Sequence, residues 1–328
     1  MTESLFIAGE WGSVVMRLYL CRDGGGPVEV LATTTGSGVV GCGDFEAAFF
    51  AAAGAWFEAH GPLPVILAGM IGSNIGWRDS GYVAAPAGMA ALAARLVTIH
   101  ARGIDIHFTP GLECRNLFGL PDLVRGEEMQ VLGWLDRRDE DGPGVICLPG
   151  RHVKWMLTDG DRIRSFTTGM HGELQDLLLT HGLLGKGVDR NAWSEAAFDA
   201  GLDIVHADPT LSLGHAVFAT RGRLVLGDHT ADQAAAFLSG LVIGCDIRDG
   251  LRALDARGLG GLTTWVLGHD AMTERYVRAL GRYGAPWQTT DTPFLAAAGL
   301  GGLLRAAGVT VAPGEVVMRG DLSVAADK

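Results

Sequence analysis

The stretch IAGEWGSVVMRLYL, residues 7–20, combines an apolar strand, a short polar turn and a second apolar strand. The turn holds one acid, Glu10, between Gly9 and Gly12. A similar arrangement, GVICLPGRHVKWMLT, occupies residues 144–158. Each stretch is followed by another turn, a third strand and a helical segment. Because this order occurs twice, the sequence predicts an α/β fold of two related lobes; the alternative is an order shared by unrelated mixed folds.

The rest of the chain alternates strand and helix patterns, as α/β proteins do. A helix is predicted at residues 88–101, and a long helical stretch at 229–254 with a break near Gly240 or Gly244. Residues 110–126 are dense in proline and glycine, which favours a boundary there. The predicted domains are therefore residues 1–118 and 119–328, with the final helix able to pack back on the first domain.

The composition excludes some partners. The 328 residues carry a net charge of −11 and contain no basic run, so a nucleic-acid partner is not expected. No apolar run has the length of a membrane span, so no membrane partner is expected. The five cysteines are scattered without metal-ligand spacing, which is typical of a reducing compartment. We predict a cytoplasmic protein.

Two glycine turns between strands are suited to binding a polyphosphate. Backbone N–H groups in a tight turn form an anion-binding concavity, and glycine lets the backbone approach closely. Glu10 would not contact phosphate directly, because like charges repel. It can instead hold Mg²⁺, usually through water. The alternative for Glu10 is a solvated acid in a turn.

Several motifs resemble, in the same order, those of the 2-dehydro-3-deoxygalactonokinase family. They are GEWGSVVMR, LAGMIGSNIGW, PGLECRN, LVRGEEMQVLG, LPGRHVKW, FTTGMHGEL, HGLLG and FLSGLVIG, and they cover nearly the whole chain. The resemblance implies an actin-like sugar kinase: two ribonuclease-H-like lobes with ATP and substrate in the interlobe cleft. It implies transfer of the γ-phosphoryl group of ATP, with Mg²⁺, to the 6-hydroxyl of 2-dehydro-3-deoxy-galactonate in galactonate catabolism. A homodimer is a possible assembly that the sequence leaves undecided.

The resemblance also implies which residues bind the cofactors. Gly12 and Ser13 match the first phosphate-turn motif, and Glu10 stands where that motif has an aspartate near the metal. Gly150 matches the glycine of the second phosphate turn, where a guanidinium at Arg151 would add charge stabilisation. Apart from the two phosphate turns, a further glycine, Gly268, resembles the family's glycine near the adenosine.

The Gly126-Glu127 pair resembles the glycine–acid pair that supplies the catalytic base in related sugar kinases. A base must reach the hydroxyl whose proton it accepts, and Glu127 opens a predicted helix from which its side chain can point outwards. Glu128 and Asp122 are the alternatives for the base. The competing explanation for both glutamates is that acids favour the first helical turn.

The resemblance also places Ser73 and Asn74 in the family's GSN motif, which is taken to face the substrate. The substrate carries a carboxylate, so a cation is expected beside it. Arg125 and Lys154 are the predicted cations; each can equally be a solvated surface charge.

The departures from the family pattern cluster where phosphate is bound. Glu10 replaces an aspartate, Val14 and Arg151 replace threonines, and His171 replaces a threonine in the motif that here runs MHGE. A shift of about 1 Å at a reacting group can cost on the order of 100-fold in rate. Two interpretations follow: a working kinase with altered turn contacts, or a kinase-like protein that binds sugar acid or nucleotide with little turnover.

A different class of enzyme is suggested by GSGVVG at residues 36–41. Gly36, Gly38 and Gly41 fit the G-x-G-x-x-G pattern of dinucleotide sites, and Glu58 follows at about the expected distance of 20 residues. Against this, the glycines follow the third strand of the lobe, not the first. An NAD-dependent dehydrogenase is therefore the alternative enzyme.

Overall fold

The computed structural model describes residues 4–138, 142–290 and 293–309. It confirms the predicted α/β class. The described residues form fourteen strands, listed here in chain order: β1 (Ser4–Trp11), β2 (Val15–Asp23), β3 (Glu29–Ser37), β4 (Val65–Ala68), β5 (Tyr82–Ala84), β6 (Val97–Ala101), β7 (Ile104–Phe108), β8 (Gly111–Arg115), β9 (Pro121–Val124), β10 (Pro143–Leu148), β11 (Val153–Asp159), β12 (Arg162–Gly169), β13 (Thr264–Val266) and β14 (Trp287–Thr289).

The same residues form ten α-helices: α1 (Phe45–His60), α2 (Met89–Ala93), α3 (Glu127–Leu135), α4 (His171–Thr180), α5 (Glu195–Ala207), α6 (Leu213–Ala216), α7 (Phe218–Leu226), α8 (Ala231–Asp255), α9 (Ala271–Arg282) and α10 (Leu295–Ala306). None of the helices within the described ranges combines the length and the apolar character needed to cross a membrane.

The chain divides into two compact units. The first comprises Met1–Leu112, Val124–Asp139 and Pro293–Lys328, and the second comprises Glu113–Leu123 and Glu140–Thr292. The first unit therefore contains α3, which the predicted division at residue 118 gave to the second domain. It also contains α10, which packs against α3.

The two units share one sheet topology. The first has the strand order β3-β2-β1-β4-β7-β6 and the second has β12-β11-β10-β13-β14. In each, the first three strands form an antiparallel meander, and the next two strands run parallel to the first of them. This repeated order confirms two related ribonuclease-H-like lobes. Each glycine turn joins the first and second strands of its own sheet.

Each unit has its own apolar core. In the first, Ile7, Phe49 and Phe108 are among the fully buried side chains under the sheet. In the second, the core lies between the sheet and α5 and α8, with Phe198 and Phe237 fully buried. Burial of apolar surface supplies the main favourable free energy of folding.

Two local predictions were wrong. The helix predicted at residues 88–101 is only α2, and it is followed by β6, because Val97 and Ile99 are β-branched residues that pack well on a sheet. Helix α8 is not broken at Gly240, where a Cβ would lie 2.1 Å from the carbonyl oxygen of Phe198, so the glycine allows α5 to pack closely. Residues 110–126, where a boundary was predicted, contain β8 and β9, and the division between the two units crosses this stretch after Leu112 and after Leu123.

Candidate active site

Glu10 lies at the end of β1, where it is held by two side chains. The hydroxyl of Tyr19 donates to Oε2 at 2.8 Å, and Nε2 of Gln130 donates to Oε1 at 3.1 Å. Burial, followed by the charge of Glu10, raises the pKa of the Tyr19 phenol far above its usual value. Tyr19 therefore stays a hydrogen-bond donor at physiological pH. Each carboxylate oxygen keeps a lone pair for a further ligand.

The turn after Glu10 is closed by a 2.9 Å hydrogen bond from the N–H of Gly12 to the carbonyl of Val15. A loop at residues 38–40 donates backbone hydrogen bonds of 2.9 Å to the carbonyls of Gly12, Ser13 and Val14. The loop thus occupies the carbonyl oxygens that would repel an anion. The N–H of Gly12 is used within the turn, so the turn can present the N–H groups of Ser13 and Val14 to a phosphate.

The glycine pattern at residues 36–41 is explained by this support. A Cβ on Gly38 would lie 2.3 Å from the carbonyl carbon of Val14, so the loop can approach the turn only with glycine there. The loop does not open a helix, because α1 begins later, after Asp44 caps it through the N–H of Ala47. A dinucleotide site requires the glycine loop to open a helix.

The Gly126-Glu127 pair lies at the start of α3. Gly126 has φ 110°, a conformation that favours glycine, and a Cβ on it would lie 3.2 Å from the Cα of Gly69, which follows β4. The backbone of Gly69 in turn lies against Trp11 in the turn region of β1. Glu127 is half-buried at the first helical position. The ends of β1 and β4 and the start of α3 therefore meet around this pair.

Glu128 cannot be the base that contacts substrate, because its side chain is fully buried. Its Oε2 accepts a 2.6 Å hydrogen bond from the N–H of Gly126, while Oε1 is buried without a hydrogen-bond partner. Burial first, and the charge of Glu127 in addition, raise the pKa of Glu128 to about 7. Glu128 instead fixes the turn from which Glu127 projects.

Asp122, the other alternative for the base, has its carboxylate occupied. Its Oδ2 accepts from the backbone N–H of Thr168 at 2.8 Å and from Nδ2 of Asn116 at 3.1 Å. Its Oδ1 accepts from the hydroxyl of Thr168 at 2.7 Å. These bonds give Asp122 a structural role in the second unit, where it joins β9 to β12.

Ser73 and Asn74 follow a short 3₁₀ turn after β4. The hydroxyl of Ser73 donates to the carbonyl of Met70 at 2.6 Å and is buried, so it stabilises the turn. Asn74 is exposed, and its amide can meet a ligand. The structure brings both residues to the end of β4, next to Gly69.

Arg125 precedes the glycine–acid pair, but its guanidinium is engaged. Nη1 donates to the hydroxyl of Ser80 and Nη2 to the carbonyl of Gly81, both at 2.8 Å. The guanidinium carbon also lies 4.5 Å from the centroid of the Tyr82 ring. These contacts anchor residues 80–82 to the start of α3.

The second turn, between β10 and β11, has a cation, Arg151, in place of an acid. Gly150 has open space where a Cβ would be. Arg151 is exposed, with Nη2 3.8 Å from the carboxylate of Glu173, and Nε2 of His152 lies close to the same carboxylate. Lys154 is buried on β11, and its Nζ donates to the carbonyl of His152 at 3.2 Å. Lys154 thus supports the turn through its hydrogen bond to the carbonyl of His152.

Gly268 follows β13 with φ 141°, and a Cβ there would lie 2.4 Å from the hydroxyl oxygen of Thr273. Asp270 then caps α9 by accepting from the N–H of Thr273 at 2.9 Å. An open depression of about 580 Å³ lies here, with the exposed ring of Trp287 on its wall. Its size and mixed lining suit a nucleoside.

Sequence reasoning missed the two residues that hold Glu10. Gln130 lies in the RGEEMQ motif, so its place in that motif was an available signal. For Tyr19 the sequence shows only an aromatic residue with a hydroxyl group in an apolar strand, which does not indicate a contact with Glu10. Among the described residues, no group of three or more histidine, cysteine or acidic side chains could hold a metal ion. All five cysteines are free thiols.

Comparison with known proteins agrees with this geometry. The family model for 2-keto-3-deoxy-galactonokinase matches residues 10–303. The 2-dehydro-3-deoxygalactonokinase of Escherichia coli (strain K12) is 33% identical over 259 residues, which span 74% of this chain and 79% of that protein. A protein of Rhizobium meliloti (strain 1021), assigned the same activity, is 31% identical over 290 residues, spanning 85% of this chain and 94% of the relative.

A solved structure is similar as well. The crystal structure of a Sinorhizobium meliloti protein, assigned as a 2-dehydro-3-deoxygalactonokinase, superposes with a TM-score of 0.79 at 30% identity, and the match covers 92% of this chain and 98% of that one. These matches contradict the dehydrogenase alternative. The chain belongs to the 2-keto-3-deoxy-galactonokinase family, whose members are phosphotransferases with an alcohol group as acceptor.

Proposed function

We propose that this protein transfers the γ-phosphoryl group of ATP to the 6-hydroxyl of 2-dehydro-3-deoxy-galactonate. The observation that carries the proposal is that Glu10, at the end of β1, is joined to α3, the helix that begins with Glu127. Glu10 is held there by Tyr19 and Gln130, and Gln130 lies on α3, the helix that Glu127 opens. The names of the relatives support this choice of substrate.

Phosphoryl transfer needs positioning and charge stabilisation more than covalent chemistry from the protein. The backbone N–H groups of Ser13 and Val14 in the first turn would bind one part of the triphosphate, and those of the Gly150 turn another. The Arg151 guanidinium adds a positive charge at the second turn. The depression beside Gly268 would take the nucleoside.

The acid at Glu10 fits a magnesium ion. Mg²⁺ is commonly bound through one or two carboxylates, with waters and substrate phosphates completing its octahedron. Glu10 provides one carboxylate whose position is fixed by two hydrogen bonds, and this donor set suits such a partial site. When bound, Mg²⁺ would neutralise charge on the phosphate oxygens.

Glu127 would accept the proton of the acceptor hydroxyl. It lies on the first turn of α3, and the hydrogen bond between Glu128 and Gly126 keeps the backbone before it in a fixed conformation. A base held in this way avoids the conformational cost of finding its position during the reaction. Asn74, exposed at the end of β4, would hydrogen-bond the acceptor.

The test is an ADP-release assay over a panel of 2-keto-3-deoxy sugar acids, with NMR location of the phosphate on the product. We expect turnover of the galactonate-derived acid and phosphate on its 6-oxygen. Replacing the base in Glu127→Gln should lower kcat by about 100- to 10,000-fold. ATP and sugar-acid binding without turnover in the wild type would establish the low-turnover alternative instead. Phosphate on another oxygen, or full activity of Glu127→Gln, would contradict the proposed regiochemistry or base.

A further inference from the structure

A cavity of about 140 Å³ lies inside the second unit, where the end of β12 meets the start of α4 and the middle of α8. None of the residues so far placed at the phosphate turns lines it. Its polar lining includes Thr167, His171, Asp246 and Asp249, and Phe118 and Trp155 contribute apolar walls. The cavity therefore combines hydrogen-bonding groups with apolar surface, as ligand sites do.

The imidazole of His171 is fixed in this cavity by a buried acid. Its Nδ1 lies 3.0 Å from Oδ1 of Asp246, whose side chain is only 5% exposed. The other oxygen, Oδ2, accepts from Nε1 of Trp155 at 3.1 Å and from the hydroxyl of Tyr276 at 2.9 Å. Two hydrogen bonds and the neighbouring imidazole nitrogen of His171 compensate for the burial of this carboxylate. With Nδ1 committed to Asp246, Nε2 is the ring nitrogen that can meet a ligand.

The charge state of the ring follows from these contacts. Burial lowers the pKa of His171, but the hydrogen bond and the charge of Asp246, with a smaller effect of Asp249, raise it above the usual value. Arg248 acts in the opposite direction. The imidazole can therefore offer Nε2–H as a donor near neutral pH.

The cavity lies beside the second phosphate turn. His171 is followed by Gly172, where a Cβ would lie 2.8 Å from both the carbonyl oxygen of Gly150 and the Cα of Arg151. The N–H of Glu173 donates to the carbonyl of Arg151 at 3.1 Å. The start of α4 is thus packed directly on the turn, one residue from the ring of His171. A group bound against His171 lies near whatever the turn binds.

The cavity chemistry suits hydroxyl groups. Thr167 accepts the N–H of Leu117 at 3.0 Å, so its own O–H can donate. Asp249, about half exposed, can accept, and His171 can donate. With an imidazolium and two carboxylates nearby, one of them paired to Arg248, a carboxylate ligand would gain little. Since liquid water occupies about 30 Å³ per molecule, 140 Å³ holds only part of a sugar acid.

We propose that this cavity is the subsite for the hydroxyl-bearing end of the acceptor, with Nε2 of His171 donating a hydrogen bond to an acceptor hydroxyl and Asp246 acting as the positioning residue for the ring. The proposal rests on the proposed sugar-acid kinase function. It also gives the unusual histidine of the MHGE motif a role.

The test compares the acceptor with analogues that lack the 4- or the 5-hydroxyl, for the wild type and for His171→Ala. We expect His171→Ala to raise the acceptor KM by about 10- to 100-fold, with the KM for ATP changed by less than about twofold. With one of the two deoxy analogues the penalty should disappear, because the hydroxyl that His171 binds is already absent. Asp246→Asn should show the same rise in the acceptor KM, and the same dependence on one hydroxyl. If Asp246 had a purely structural role, the loss would not be confined to one hydroxyl.

Two further variants keep the test decisive. His171→Gln retains a side-chain donor and should keep the acceptor KM closer to that of the wild type, even if the alanine variant folds poorly. His181→Ala, an exposed histidine at the other end of α4, is the matched control. An unchanged acceptor KM in His171→Ala, or equal penalties with both analogues, would overturn the subsite while leaving the kinase function intact. A wild type that neither binds nor phosphorylates any sugar acid would overturn both.

Discussion

The two glycine turns join equivalent strands in two sheets of similar topology, yet they differ in the charged side chains that they carry. Beside the first turn lies an acid, Glu10, fixed by neutral donors. The second turn itself contains a cation, Arg151, and a histidine, His152, and both side chains lie close to the acid Glu173. In the proposed function, the repeated backbone would therefore offer N–H groups to phosphate twice, while the side chains of the two turns differ in their roles. We propose that the first turn holds the acid that binds the metal ion, and that the second turn stabilises the phosphate charge directly.

Removing the acid of the first turn should have the largest effect on this contrast. We expect Glu10→Ala to lower kcat by about 100-fold, because a displaced metal misaligns the reacting phosphate. Tyr19→Phe and Gln130→Ala should each cost about 10-fold, since they only orient the carboxylate. Steady-state kinetics at several Mg²⁺ concentrations would measure this. Glu29→Ala, an exposed acid on β3, is the control, and equal kcat in both alanine variants would contradict the metal role.

The buried acid next to the base should make stability depend on pH. The pKa of Glu128 is raised to about 7 from an ordinary 4.5, so the folded state holds the proton more tightly than the unfolded state. Its contribution is complete below about pH 4.5 and is lost as pH rises through 7, by about 3 kcal/mol in the free energy of unfolding. Glu128→Gln should remove this fall.

Urea unfolding of the wild type and Glu128→Gln at pH 5 and pH 7.5 would measure this difference. Glu173, at the second turn, supplies the contrast: the hydrogen bond from His152 lowers its pKa, so any contribution it makes is present above its unfolded pKa and fades as pH falls. Equal pH dependence of the wild type and Glu128→Gln would contradict the burial argument.

The loop that supports the first turn and the second turn itself should also respond differently to one added methyl group. Gly38→Ala would place a Cβ 2.3 Å from the carbonyl carbon of Val14, and we expect a loss of about 1–3 kcal/mol of stability from overpacking. Gly150→Ala meets no atom within 4 Å, so its stability should match that of the wild type. Its added methyl should instead raise the KM for ATP. Thermal unfolding would measure the stability of both variants, and steady-state kinetics would measure their KM for ATP. A destabilised Gly150→Ala would contradict the open space seen beside Gly150.

The smallest effect is expected for the exposed acid of the second turn. Glu173→Gln releases Arg151 and His152, but such solvated pairs contribute little and are screened by salt. We expect the KM for ATP to change by less than about fivefold, and the difference to shrink at high ionic strength. A large loss of kcat in Glu173→Gln would mean that the ion pair fixes the turn, and the contrast with Glu10 would then disappear.

The sequence by itself determined the α/β class, the two related lobes and both glycine turns. These features follow from local patterns, since strand alternation, turn glycines and helix starts are set by neighbouring residues. It also singled out Glu10 and Glu127. It failed at residues 88–101, where a short helix gives way to β6, because pairing with β7 decides between the two conformations.

Only the tertiary structure decided how the candidate site is held together. Gln130 reaches Glu10 across 120 residues of chain, and Asp246 fixes His171 from a different helix. Glu128 differs from Glu127 by one position, yet only the packing of α3 makes one carboxylate fully buried and leaves the other half-buried. Long-range contacts of this kind have no local signature, because they depend on which faces of distant elements meet when the apolar surfaces are buried.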